Sequence, residues 1–145
     1  MPRMFVPSIA ALVLVGCAMD MDHDEMNGAV ADVRAEVQRH SKTCQDATTT
    51  EATTTELGRH DLAMDRMLGR MEGAMANMRG MHHCGNIDGV AQDFTHMRET
   101  LQAHRKRVVE ARDLGEVHEH CASYGNEMMG LSDTAMQQMR TQGCM

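Results

Sequence analysis

The chain has 145 residues, with 14 basic and 21 acidic side chains, a formal charge of −7 and only 2% aromatic residues. That length suits one domain, and the acidic balance excludes nucleic acid as a partner, because phosphate binding needs a basic surface. Seventeen methionines against one tyrosine and two phenylalanines make the apolar composition sulfur-rich rather than aromatic.

The first element is a leader. Arg3 is followed by the apolar run MFVPSIAALVLVG, which is too short for a membrane span and has the charge and length of an export signal. It ends in Leu14-Val15-Gly16-Cys17, which resembles the lipobox of bacterial lipoproteins. The resemblance implies cleavage before Cys17, a lipid on that cysteine, and a bacterial cell-envelope location anchored in the membrane. Ala18 in place of Asp implies the outer membrane, facing the periplasm. The alternative is an ordinary secretory signal with an incidental cysteine. Residues 1–16 are thus the expected signal peptide, 17–25 a lipidated cysteine with an acidic tether (AMDMDHDE), and 26–145 the folded domain. Loss of Arg3 with the leader leaves 13 basic against 21 acidic side chains, a charge near −8.

Apolar spacing of three and four residues then marks four amphipathic helices. The first stripe is Met26, Val30, Val33, Val37, His40, Cys44. The second is Leu57, His60, Met64, Met67, Met71, Met75, Met78. The third is Val90, Phe94, Met97, Leu101, His104, Val108, Ala111, and the fourth Val117, Cys121, Tyr124, Met128, Leu131, Ala135, Met139. Thr53-x-x-Glu56 is a candidate capping box for the second helix, with Thr48-x-x-Glu51 as a rival start, and Asp88 is a candidate cap for the third. Links at 46–55, 84–86 and 113–116 are short. Short links favour antiparallel neighbours, so the expected fold is all-α, an up-down-up-down four-helix bundle.

The bundle sorts the cysteines. An exported chain meets oxidising conditions, and four cysteines beyond Cys17 allow three pairings. Cys44 ends the first helix and Cys121 begins the fourth, at one end. Cys84 follows the second and Cys144 ends the fourth, at the other. The expected disulfides are Cys44–Cys121 and Cys84–Cys144, since other pairings span much of a bundle and a disulfide tolerates only a few ångströms between Cα atoms.

The two hairpins match at an offset of 64 residues without a gap: Val30 with Phe94, Val33 with Met97, Val37 with Leu101, His40 with His104, Lys42 with Lys106, His60 with Tyr124, Met64 with Met128, Met67 with Leu131 and Met75 with Met139. A duplicated hairpin implies a pseudo-two-fold bundle. It brings His40, His60, His104 and Tyr124 to one level at the Cys44–Cys121 end, all on inward stripes. Glu56 and His120 lie one turn before His60 and Tyr124, and Met64 and Met128 one turn deeper.

Buried polar groups need partners. The layer is therefore either a hydrogen-bonded network or a metal site formed by His40, Glu56, His60, Met64, His104, His120, Tyr124 and Met128. Methionine also serves as ordinary core filler. Thioether sulfur is a soft donor that suits Cu(I), and imidazole accepts copper in either oxidation state. An exported protein keeps thioethers where free thiols would oxidise. The arrangement resembles Met-rich periplasmic copper-binding proteins and, in outline, copper-storage four-helix bundles. That resemblance implies copper sequestration or buffering. Storage bundles line their cores with many cysteines; this chain has four beyond the anchor, so no ligand is carried over from them. Noncovalent haem on two inward histidines is an alternative cofactor, as no Cys-x-x-Cys-His is present. A helical lipoprotein that presents a surface to a protein partner is another. An enzyme is disfavoured: di-metal oxidases use paired Glu-x-x-His motifs, and Glu56 and His60 are four apart. Met81-His82-His83 and MDMDHDEM (19–26) are weaker candidates for surface metal contacts, with solvated loop and tether as the plainer readings.

Overall fold

The computed structural model describes residues 11–79 and 84–144. The expected surface contact at Met81, His82 and His83 and most of the expected leader lie outside the described residues. Four helices account for the described chain: α1 (Ala11–Asp46), α2 (Thr50–Met78), α3 (Asp88–Glu110) and α4 (Leu114–Thr141). Each packs on its chain neighbours, and α1 closes the ring against α4, so the chain is an antiparallel four-helix bundle as its stripes predict. No described helix is long and apolar enough to cross a membrane.

The boundaries differ from expectation in three places. The acidic stretch 18–25, expected as a tether, is helical and continuous with the rest of α1. No proline interrupts it, and Arg70 on α2 holds Glu25 at 2.6 Å and Asp32 at 2.6 Å. The cap of α2 is Thr49, whose hydroxyl accepts from the Ala52 amide at 3.2 Å. Thr53 and Glu56 lie inside the helix and are buried, which selects the earlier start. Before α3 the carboxamide of Asn86, not Asp88, accepts from the Asp88 amide at 2.8 Å. Asp113 caps α4, accepting from Glu116 at 3.0 Å.

The stripes become one long core. Met26, Val30, Val33 and Val37 of α1 meet Met64, Leu68, Met71, Ala74, Met75 and Met78 of α2, Phe94, Met97 and Leu101 of α3, and Met128 and Met139 of α4. Two positions shift: Leu68 and Ser132 are buried, while Met67 and Leu131, expected inward, are only partly so. These two pairs are themselves 64 residues apart, so both hairpins are rotated alike. Methionine has no branch and several soft torsions, which lets one side-chain type fill gaps of different shape.

Both expected disulfides are present. Cys44–Cys121 joins α1 to α4, with 6.3 Å between Cα atoms, and Cys84–Cys144 ties the α2–α3 connection to the chain end, with 4.8 Å. Gly143 delivers Cys144 to its partner. At φ 70° it occupies the left-handed region, and the Gly143 and Cys144 amides donate back to Arg140 and Met139 carbonyls at 3.2 and 3.0 Å. This closure of a helix end needs glycine at the reversing position.

Candidate metal centre

Three inward histidines and a tyrosine converge from four helices, His40 from α1, His60 from α2, His104 from α3 and Tyr124 from α4. His40 and His60 are completely buried, and His104 and Tyr124 are each 2% exposed. The His40 and His60 rings stack at 3.8 Å, and the His104 and Tyr124 rings stack at 4.1 Å. The two stacks meet nearly at right angles. Across the interface, His40 Nε2 lies 3.0 Å from His104 Nε2, and His60 Nε2 lies 2.8 Å from the Tyr124 hydroxyl. Both contacts join residues 64 apart, so the internal repeat has a direct structural counterpart: equivalent side chains touch across the pseudo-two-fold axis.

The outer nitrogens of the first hairpin go to carboxylates, and they cross over. His40 Nδ1 on α1 meets Glu56 on α2 at 3.1 Å, and His60 Nδ1 on α2 meets Glu36 on α1 at 2.7 Å. Arg39 and Arg59 close the figure. Arg59 donates to Glu36 at 2.6 Å and to Glu56 at 2.5 Å, and Arg39 to Glu36 at 2.7 Å. Glu36, Arg39 and Arg59 were not among the expected site residues. Their signal is a doubled motif, Glu36-x-x-Arg39-His40 and Glu56-x-x-Arg59-His60, in which each helix supplies the carboxylate for the imidazole of the other.

These contacts fix the protons. Burial pushes the carboxyls of Glu36 and Glu56 up from their ordinary range, and the Arg39 guanidinium pulls them back. The guanidiniums of Arg39 and Arg59 donate to these carboxylates and hold them as acceptors, which places the protons of His40 and His60 on Nδ1. Burial holds His40 down to about 4, His104 to about 3 and His60 to about 2, so all three are neutral. Burial raises the Tyr124 phenol, which stays protonated and donates to His60 Nε2. His40 Nε2 is then a lone pair, and His104 Nε2–H donates to it. That leaves His104 Nδ1 as a buried acceptor with no hydrogen-bond partner.

The second hairpin explains this orphan. At the repeat positions of Glu36, Arg39, Glu56 and Arg59 it carries Thr100, Ala103, His120 and Ser123. His120 stands where a carboxylate would face His104, and is near enough to depress its basicity further. The first hairpin is clamped by charge, and the second is open.

Of the expected residues, the bundle brings His40, Glu56, His60, His104 and Tyr124 into direct contact. His120 flanks them, half-buried. Met64 and Met128 are fully buried in the apolar core that Tyr124 also joins. On the other side, the Cys44–Cys121 disulfide abuts the layer, with Cys44 Sγ 3.5 Å from His40 Nε2. Glu56 and Arg59 also line a surface cavity of about 630 Å³ with Thr43, Thr49 and Thr55, so the layer is one side chain away from solvent.

Such a layer has the donors of a metal centre. Ligating imidazoles usually donate their second nitrogen to a carboxylate, which fixes the tautomer and raises basicity. His40 and His60 already do so. Two nitrogens bound to one ion at about 2.0 Å each stand roughly 3 Å apart, the separation seen between His40 and His104. The same geometry also serves as a closed hydrogen-bond network. No protein-family model matches the chain, and no curated protein or solved structure matches it significantly.

Proposed function

We propose that the protein is a lipid-anchored envelope protein that sequesters or buffers copper through the layer of His40, His60, His104 and Tyr124. Glu56 and His120 orient the imidazoles, and Met64 and Met128 supply soft donors one turn deeper. The observation that carries this reading is the convergence of three imidazoles and a phenol from four helices, two of them preset by carboxylates. Cys17 would tether the bundle to the outer membrane. The packed ring pairs leave no slot for a porphyrin between facing histidines, which counts against haem. One observation favours a second reading: every inward nitrogen except His104 Nδ1 is already satisfied, as in a purely structural network of a partner-binding lipoprotein.

Metal analysis of protein purified from its own envelope, followed by Cu(I) competition titration, separates the two. The expected result is bound copper, with loss of tight Cu(I) binding in the His40→Ala/His60→Ala/His104→Ala variant. A variant that binds as tightly as the parent overturns the reading. Metal content near zero, with full stability in chelator, favours the network.

A second outcome follows from the unequal hairpins. In His120→Glu, His104 should carry its proton on Nδ1 toward the new carboxylate. The Nε2 lone pairs of His40 and His104 would then face each other at a separation of 3.0 Å. That is repulsive without a cation and favourable with one. The variant should be less stable without metal, and bind Cu(I) on the order of tenfold more tightly. Thermal melts with and without copper measure both; unchanged affinity would sink the assignment.

A further inference from the structure

The layer borders a second set of metal donors that the disulfide conceals. One ligand atom each from His40, Cys44 and Cys121 lie within 4.8 Å of one another, and all three residues are buried. His104 Nε2 stands just outside this group, 3.0 Å from His40 Nε2, and becomes a fourth donor once its proton shifts to the unpartnered Nδ1. We infer that reduction of Cys44–Cys121 converts this end of the bundle into a two-thiolate, two-imidazole site for Cu(I), formed by Cys44, Cys121, His40 and His104.

The chemistry balances with a dithiol as reductant. Its two thiols give two electrons and two protons to the Cys44–Cys121 bond, which becomes two thiols while the dithiol closes to its own disulfide. Cu(I) then displaces the thiol protons to solvent, and no change in metal oxidation state is required. The donors fit such an ion. Thiolate is the softest protein ligand, and two sulfurs with two nitrogens suit a tetrahedral d10 cation. For metal–sulfur bonds near 2.3 Å and metal–nitrogen bonds near 2.0 Å, a tetrahedral sulfur-to-nitrogen edge is about 3.5 Å. Cys44 Sγ and His40 Nε2 are already 3.5 Å apart. His40 is set to bind, because Glu56 holds its proton on Nδ1 and leaves an Nε2 lone pair beside the sulfurs, which the ion takes over from the His104 N–H. The other disulfide, Cys84–Cys144, is at the far end of the bundle with no histidine among its described contacts. The site shares His40 and His104 with the copper reading above, but it does not require the oxidised layer to bind metal. Affinity for copper would therefore depend on the redox state of one disulfide.

Differential alkylation tests this. The full-length chain is reduced with a dithiol, freed of it under anoxic conditions, loaded with one equivalent of Cu(I), and treated with iodoacetamide before mass mapping. Cys44 and Cys121 should be protected, while Cys84 and Cys144 are modified. Competition titration should show the reduced form binding Cu(I) on the order of a hundredfold more tightly than the oxidised form. His40→Ala should lose most of that gain, and Cys44→Ser/Cys121→Ser all of it. Equal labelling of Cys44, Cys121, Cys84 and Cys144 overturns the inference, including labelling of a reduced chain that unfolds and binds indiscriminately. Equal affinity in both redox forms also overturns it, while leaving the histidine-layer reading intact. Binding only after reduction supports the thiolate site and removes the oxidised one.

Discussion

Acidification from pH 7 to pH 4 should unfold the protein, with stability beginning to fall just below pH 6.5. His40, His104 and His60 are held neutral in the fold, pushed down to about 4, about 3 and about 2 by burial. In the unfolded chain each titrates near its ordinary value of about 6.5. A histidine whose folded pKa is depressed stabilises the fold fully above the unfolded pKa. Below it, protons bind the unfolded chain first and stability is lost, until the folded group also titrates. Each such imidazole removes about 1.4 kcal/mol per pH unit, so three remove about 4 kcal/mol per unit over the window they share. A domain of this size has on the order of 5–15 kcal/mol in all. Opposing groups exist. Burial raises the carboxyls of Glu36, Glu56, Asp61 and Asp93, which therefore take up protons earlier in the fold and relieve a cost it carries at neutral pH. That relief has the opposite sign to the imidazole loss and reduces the net slope wherever the two overlap. Urea unfolding at pH 7.5, 6.5, 5.5 and 4.5 should show a midpoint that is flat at first and then falls steeply. A midpoint that held constant to pH 4.5 would mean that the imidazoles are not buried neutral.

The layer itself was legible because it depends on two things a sequence carries. One is the helical period that places His40, His60, His104 and Tyr124 on inward stripes. The other is the connection lengths that decide which helix ends meet. The same two facts selected Cys44–Cys121 and Cys84–Cys144 among the three pairings. The clamp was less legible. Glu36 lies beside the stripe residue Val37, and a charged residue at a stripe edge ordinarily faces water. Its burial is decided by another helix, through Arg59 and His60, and only the doubling of Glu-x-x-Arg-His hints at it. Helix starts in the threonine-rich 46–55 stretch were ambiguous for a different reason. Several hydroxyls there can cap, and the choice of Thr49 follows from burying Thr53 and Glu56 rather than from local preference. The stripes carry Met67 and Leu131 further inward than the bundle does, because neighbouring positions on a helix differ by a rotation that only packing resolves.

Removing either disulfide should cost nearly as much as one pH unit of acid, and the two losses should add in a measurable way. Cys44–Cys121 spans 77 residues and Cys84–Cys144 spans 60. Closing loops of that size restricts the unfolded chain by about 4 kcal/mol each in the chain-entropy picture, with engineered removals commonly measuring about 2–4 kcal/mol. Cys44→Ala/Cys121→Ala also hollows the small cluster with Leu57, Val108 and Val117 beneath the histidines, so it should be the more damaging pair. Because the three imidazoles together erase about 4 kcal/mol per pH unit, a loss of that size moves the acid midpoint up by roughly one unit. Cys84→Ala/Cys144→Ala lies away from the layer and should shift the midpoint without changing the slope. If Cys44→Ala/Cys121→Ala lets water reach His40, the imidazoles titrate nearer their ordinary value and the slope below pH 6.5 flattens as well. Circular dichroism during acid titration of the parent and both variants reads midpoint and slope together. Coincident acid midpoints in all three proteins would show that the cross-links add nothing to the fold that the imidazoles oppose.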